Sequence, residues 1–264
     1  MSFFEVRDLS AGYGDRKIID GLSFSVAPHT VLGLLGANGC GKTTLLKAIC
    51  GILPSKGNLS LSGSDLKKLS PKELAKLCHY IPQKSGISIA LSALDVVLMG
   101  FNPHLGLLQY PTEKMKQKAA EALYKVGLGE KANTDFQTLS EGQKQLCLLA
   151  RALASDCRML ILDEPESALD FGGRYRMFDL LRDWVKADDR GAVVALHDPQ
   201  LALGGCDALL LMKNEKESVL LFPKKDPLEK TEQALREIYG PLSIRTFPNQ
   251  NGEDQLVLIR ENEK

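Results

Sequence analysis

Gly36-Ala37-Asn38-Gly39-Cys40-Gly41-Lys42-Thr43 is an instance of G-x-x-x-x-G-K-[ST], and the apolar run Val31-Leu32-Gly33-Leu34-Leu35 leads straight into it. Apolar residues at helical spacing follow, at Leu45, Leu46 and Ile49. Together these predict a buried strand, a phosphate-binding loop and a helix, the framework of an α/β fold. The glycines let main-chain N–H groups turn inward around the phosphates, and Lys42 brings a point charge to the same oxygens. Thr43 offers a hydroxyl to Mg²⁺, Thr44 extends the nucleotide-binding set, and the helix N-terminus adds its positive dipole end. This stretch predicts a nucleoside triphosphate site.

A second short apolar run, Arg158-Met159-Leu160-Ile161-Leu162, ends in Asp163-Glu164-Pro165. A buried strand would deliver both acids to the C-terminal edge of the sheet, where open α/β folds bind ligands. Consecutive residues face opposite sides, so the two carboxylates are expected to play different parts. Asp163 is expected to hold Mg²⁺ through its water shell, and Glu164 to polarise the attacking water. Between the two runs, Leu139-Ser140-Glu141-Gly142-Gln143 opens a helix running roughly to Ala154, with apolar Leu146, Leu149, Ala150 and Leu153. Ser140 and Gln143 fit a capping box, S/T-x-x-E/Q.

In this company the chain resembles the nucleotide-binding subunit of an ABC transporter over nearly its whole length. Leu139 to Gln143 resembles the LSGGQ signature, with Glu141 in place of the first glycine. Ser167-Ala168-Leu169-Asp170 is similar to the D-loop, Gln83 in Tyr80-Ile81-Pro82-Gln83 to the Q-loop glutamine, and His197 after the apolar strand Ala192 to Leu196 to the switch histidine. Tyr13 in Ala11-Gly12-Tyr13-Gly14 resembles the aromatic that stacks on adenine. The resemblance implies ATP and Mg²⁺ as ligands, with Lys42, Gln83, Glu164 and His197 catalytic and Thr43, Gln83 and Asp163 near the metal, partly through water. It also implies a head-to-tail homodimer in which Ser140 and Gly142 complete the partner's γ-phosphate cage. Two positions depart from the pattern: Glu141, and Glu166 where the family often has threonine. His29, His79 and His104 have no comparable setting and read as structural.

The implied architecture is α/β, a P-loop core with a mostly parallel sheet, an N-terminal antiparallel β portion and a helical signature subdomain. Residues 1–84 and 151–222 are expected to form the catalytic core and 85–150 the helical part, through Leu91 to Met99 and Glu113 to Val126. Residues 223–264 form a C-terminal extension with a helix (Leu228 to Tyr239) and a terminal strand (Gln255 to Ile259). The 264 residues suffice for one main and one subsidiary unit. A formal net charge of zero argues against a general affinity for nucleic acid or anionic lipid. No apolar run approaches a membrane span, and Met1-Ser2-Phe3-Phe4-Glu5 is not a signal peptide. Attachment to the cytoplasmic face of a membrane is therefore expected to come through permease subunits, with an extracytoplasmic solute-binding protein as an indirect partner.

The six cysteines have no ligand-like spacing and read as reduced thiols. Cys40 differs: inside the phosphate loop, beside a helix N-terminus and Lys42, it is expected to be the reactive one. Within the family, Gly36 to Thr43, Leu94 to Gly100 with Pro103 to Gly106, and Glu237 to Gly240 resemble importers of iron siderophores, haem and cobalamin. A ferric chelate is the expected cargo, with cobalamin, haem or another metal complex as the alternative. The rival class is a soluble ABC ATPase of the iron–sulfur assembly type. The Leu94 to Gly106 tract, expected to face membrane coupling helices, argues against it.

Overall fold

A computed structural model of the chain describes residues 3–187 and 189–262. Met1 and Ser2 of the N-terminal stretch, Asp188, and the last two residues of the C-terminal extension lie outside the described residues.

The phosphate loop sits at the end of the central strand of the larger sheet. Strand β3 (Val31–Gly36) is buried at every position. It pairs in parallel with β8 (Gly191–Ala195) on one side and β9 (Ala208–Met212) on the other. Beyond β8 lie β7 (Met159–Asp163) and β6 (Cys78–Ile81), also parallel, and β10 (Ser218–Leu221) closes the far edge antiparallel to β9. Strands buried on both faces read as continuous apolar runs. Alternate residues feed opposite cores. Leu32, Leu34, Ile161 and Val193 join one cluster, while Val31, Leu35, Leu160, Leu162 and Val194 join the other.

The first cluster is closed by α1 (Lys42–Ile49) and by an antiparallel sheet of β1 (Phe4–Tyr13), β2 (Arg16–Val26), β4 (Ser55–Leu61) and β5 (Ser64–Asp65), in the order β2-β1-β4-β5. Helix α2 (Pro71–Leu77), with a capping box at Ser70 and Glu73, then leads into β6. The second cluster continues into the helical part: α3 (Ala93–Leu98), α4 (Glu113–Lys125) and α5 (Glu141–Ala154). The sequence boundary at 150 falls inside α5, which continues to Ala154 because its apolar stripe packs without a break to that point. The same cluster takes in α6 (Phe171–Val185), α7 (Pro199–Gly205) and part of the C-terminal unit.

That unit comprises α8 (Leu228–Tyr239) and a hairpin of β11 (Leu242–Pro248) and β12 (Asp254–Arg260). The terminal strand is thus one arm of a hairpin, and β11 is an element the sequence reading did not foresee. Only the first residues of β11 are buried, so its outer half carries little hydrophobic periodicity to read.

Candidate active site

Strand order explains who meets whom. β7 lies between β6 and β8, so the segments leaving those two strands flank the carboxylates at its end. Asp163, buried at the end of β7, accepts from Thr43 Oγ1 at 3.0 Å and from the Tyr80 hydroxyl at 3.0 Å. Glu164 turns the other way: its Oε2 accepts from Gln83 Nε2 at 2.7 Å, and its Oε1 lies 2.5 Å from His197 Nε2. Glu164 has φ 52°, a left-handed conformation uncommon for a side chain of this kind. That twist swings its carboxylate away from the path of β7 toward Gln83 and His197. The two acids thus serve separate groups, Glu164 through its left-handed turn past the end of β7 and not through alternation along the strand.

At the phosphate loop, Gly41 has φ 107° and precedes α1, whose N-terminus carries no side-chain cap among the described residues. Those first N–H groups are left for an anion, where the helix dipole favours one. Buried Lys42 arches back over the loop, and its Nζ donates to Gly36 O at 2.8 Å and Ala37 O at 3.4 Å. At Gly36 a Cβ would lie 2.4 Å from Met212 O and 2.6 Å from Cys40 Sγ, so only glycine fits there. Ala37, Asn38 and Gly39 form the exposed crest of the loop, and Cys40 is half-buried with its side chain against the core. Thr44 is buried one residue past Thr43. Tyr13 is 50% exposed on the tip of the β1–β2 hairpin.

The donor chemistry suits Mg²⁺: a hydroxyl and a carboxylate, both hard oxygen ligands, lie side by side at Thr43 and Asp163. Gln83, the third residue assigned near the metal, spends its amide N–H on Glu164.

The signature segment lies at the N-terminus of α5 as a complete capping box. Ser140 Oγ accepts from Gln143 N at 3.3 Å, and Ser140 N donates to Gln143 Oε1 at 3.1 Å. Because Ser140 Oγ accepts within the box, its own proton stays available to a phosphate oxygen. Leu139 is buried beneath it. Glu141 points outward and pairs with Lys144 Nζ at 2.8 Å. Gly142 packs against the D-loop so closely that a Cβ would lie 2.8 Å from Ala168 O. In that loop Ser167 N donates to Glu164 O, Arg174 Nε donates to Leu169 O, and Asp170 caps α6 by accepting from Gly173 N.

Two groups in this region escaped the sequence reading. Tyr80 was quoted only as a neighbour of Gln83, yet its hydroxyl reaches Asp163 across 83 positions of sequence. Burial, followed by the nearby Asp163 charge, pushes its phenol pKa up and keeps it a proton donor. Glu166 was noted as a departure, but nothing local announced that its carboxylate is buried and bonded to the main chain of His197.

The three remaining histidines lie away from the Glu164 carboxylate. His29 Nδ1 lies 2.8 Å from Val185 O. Burial beside Arg151 pushes the His79 pKa down to about 3, so that ring is neutral. His104 ends a 3-10 turn in the helical part.

The match to the ABC transporter family spans residues 19–167. This chain belongs to that family. It is an ATP-binding subunit and an ATPase. A Helicobacter pylori ATP-binding protein named for iron chelatin transport is 36% identical over 237 residues, covering 89% of this chain and 92% of that protein. The hemin import ATP-binding protein of Vibrio parahaemolyticus is 33% identical, covering 91% and 92%. Among solved structures, a chain described as from a metal-chelate type ABC transporter in an inward-facing conformation superposes with a TM-score of 0.82 at 27% identity, covering 99% and 98%.

Proposed function

We propose that this chain powers the import of a metal chelate, with a ferric chelate as the cargo. It would do so as one of two copies attached to membrane permease subunits. The observation that carries the catalytic reading is Glu164, held between Gln83 and His197 beside the Thr43–Asp163 pair. The names of the relatives support the cargo, one for iron chelatin and another for hemin.

In this reading Tyr13 stacks on adenine, and the loop from Gly36 to Thr44 cradles the phosphates with main-chain N–H groups. Lys42 exchanges its carbonyl partners for phosphate oxygens. Thr43 and Asp163, the latter through water, hold Mg²⁺, which supplies charge neutralisation at the phosphates. Glu164 accepts a proton from the attacking water, and Gln83 and His197 fix its carboxylate at the two faces where they now touch it. The end of the strand also brings the His197 imidazole near the γ-phosphate. Ser140 and the Gly142 main chain close over the nucleotide of the second copy, while Ser167 to Asp170 run beside that seam. Positioning and charge neutralisation carry phosphoryl transfer, so little covalent work falls to the protein. Higher affinity of ATP for the closed pair drives closure, and hydrolysis releases it.

The permease is expected to dock where the helical part meets β6. A cavity of about 240 Å³ there is lined by Tyr80, Met99, Gly100, Pro103 and Arg151. Leu107, Leu108 and Tyr110 stand almost fully exposed on the following loop. No helix among the described residues is long and apolar enough to cross a membrane, so a peripheral attachment at the cytoplasmic face would rest on such contacts.

Glu164→Gln is expected to bind ATP, to lower kcat by about 10²–10³-fold, and to accumulate a dimer in size-exclusion chromatography with ATP. Turnover at the parental rate would remove Glu164 from the mechanism. Isolation of the tagged chain from its native membranes in mild detergent tests the transport reading. A polytopic permease at equal stoichiometry supports it, and the associated binding protein can then be screened with ferric chelates, haem and cobalamin. Recovery of soluble partners only would favour a cytosolic ATPase of the iron–sulfur assembly type.

A further inference from the structure

Glu166 is the buried charge for which hydrolysis, as described above, has no use. Its residue is only 4% exposed. Its Oε1 accepts from the main-chain N–H of His197 at 3.3 Å, and its Oε2 has no partner among the described residues. A carboxylate buried with one amide donor is costly, and the cost is tolerated where it fixes something that matters. What this one fixes is His197, the second residue beyond the end of β8 and the one that carries the imidazole.

The surrounding bonds form a closed circuit. Glu164 Oε1 meets His197 Nε2 at 2.5 Å, His197 N donates to Glu166, and Glu166 stands two residues after Glu164 in the same turn. That turn is tied within itself, since Ser167 N donates to Glu164 O at 3.2 Å and Leu169 N to Glu166 O at 3.0 Å. Just before His197, Leu196 N donates to Leu34 O, so the main chain is held by the sheet up to Leu196 and by the Glu166 side chain at His197. On its other side the turn touches α5, where Gly142 approaches Ala168 O. A displacement of the signature helix would therefore meet the D-loop turn first and His197 next, through one side chain.

We propose that Glu166 is a positioning residue: its carboxylate anchors the main chain of His197 to the D-loop turn, so that the imidazole meets Glu164 and follows that turn when it moves. The proposal rests on the reading of Glu164 and His197 as a catalytic pair. Any acceptor oxygen at this reach serves the anchor, so glutamine substitutes for glutamate and alanine does not.

The test measures steady-state ATP hydrolysis together with main-chain amide exchange of His197 by NMR. In Glu166→Ala, kcat is expected to fall about tenfold with KM for ATP within about twofold of the parent, because the nucleotide contacts are untouched. The His197 amide is expected to exchange about tenfold faster, and Glu166→Gln is expected to restore most of both. In a His197→Ala background, Glu166→Ala should add nothing, since it acts through the missing ring.

Additive losses in the double variant, or an unchanged His197 exchange rate in Glu166→Ala, would overturn the positioning role. A parental rate in His197→Ala alone would instead sink the catalytic pair, and the exchange measurement distinguishes the two failures. Should Glu166→Ala fail to fold, Glu166→Asp, one methylene too short to reach, carries the same test.

Discussion

Cys40 and Glu166 show how far one residue's surroundings change what its type implies. Of the six thiols, Cys78, Cys147, Cys157 and Cys206 are buried, and burial raises the pKa of each, to about 12 for Cys147 and about 11 for Cys157. Cys50 is half-buried, with its pKa likewise raised by desolvation. Cys40 differs by its place, half-buried inside the phosphate loop just before α1, where an added alkyl group would block the nucleotide. N-ethylmaleimide is expected to abolish ATP hydrolysis and bound ATP to protect. Inhibition persisting unchanged in Cys40→Ser would place the sensitive thiol elsewhere.

Glu166 is held above the ordinary carboxylate range by burial first, with the neighbouring Glu164 charge adding to it. The main-chain amides of Glu166 and His197, and the His197 ring, oppose the shift. An acid whose folded-state pKa exceeds its unfolded value costs the fold nothing while both states are protonated. The cost sets in as pH rises past the unfolded value and is complete above the folded one. Glu166→Gln is therefore expected to raise Tm at about pH 8 and to lose that advantage by about pH 4. Calorimetry at both pH values checks this, and an equal Tm difference at the two would refute it.

At the scale of elements, the contact between the start of α5 and the D-loop turn stands out. The signature pattern was legible as a run of five residues, and its capping box was readable from spacing alone. The reason for glycine at position 142 was not, because it lies in the Ala168 carbonyl 26 positions away. A Cβ at 142 would meet that main-chain oxygen at 2.8 Å, and a main-chain atom has no free rotamer with which to retreat. Gly142→Ala should destabilise the fold by about 1–3 kcal/mol through overpacking, seen as a lower urea midpoint. An unchanged midpoint would mean that the turn yields freely and transmits nothing. Glu141 is the complementary case: its partner Lys144 lies within the same helix, three residues on, at a spacing that a local window contains.

For the whole molecule, the C-terminal unit proves to be part of the core. Ala234, Leu235, Leu242 and Ile244 join the cluster beneath the parallel sheet. Tyr239 is half-buried beside the Gly36 main chain, and desolvation raises its pKa to about 12. The hairpin is fastened to α7, the helix that follows His197, by one side chain. Gln200 Nε2 donates to Leu256 O at 3.0 Å, and Leu258 N donates to Gln200 Oε1 at 2.7 Å, so an amide side chain stands in for a neighbouring strand. Gln200→Ala would leave both β12 groups without these partners and is expected to cost about 1–3 kcal/mol. The loss should appear as a lower Tm and faster amide exchange at Leu258, and parental exchange at Leu258 would show that β11 alone holds β12.

The sequence by itself determined the phosphate loop, the apolar strands with their terminal acids, the signature helix from Glu141 to Ala154, and α8 to the residue. Each is a contiguous run whose period and flanking residues are set by local sterics and hydrogen bonding. Only the tertiary structure decided that Tyr80 serves Asp163, that Gln83 and His197 grip Glu164 from two sides, and that Glu166 reaches the His197 main chain. These pairings depend on the strand order β3-β8-β7-β6, in which neighbours in space are not neighbours in the chain. Strand order is chosen by how every helix and both cores pack together, and no local window contains that information.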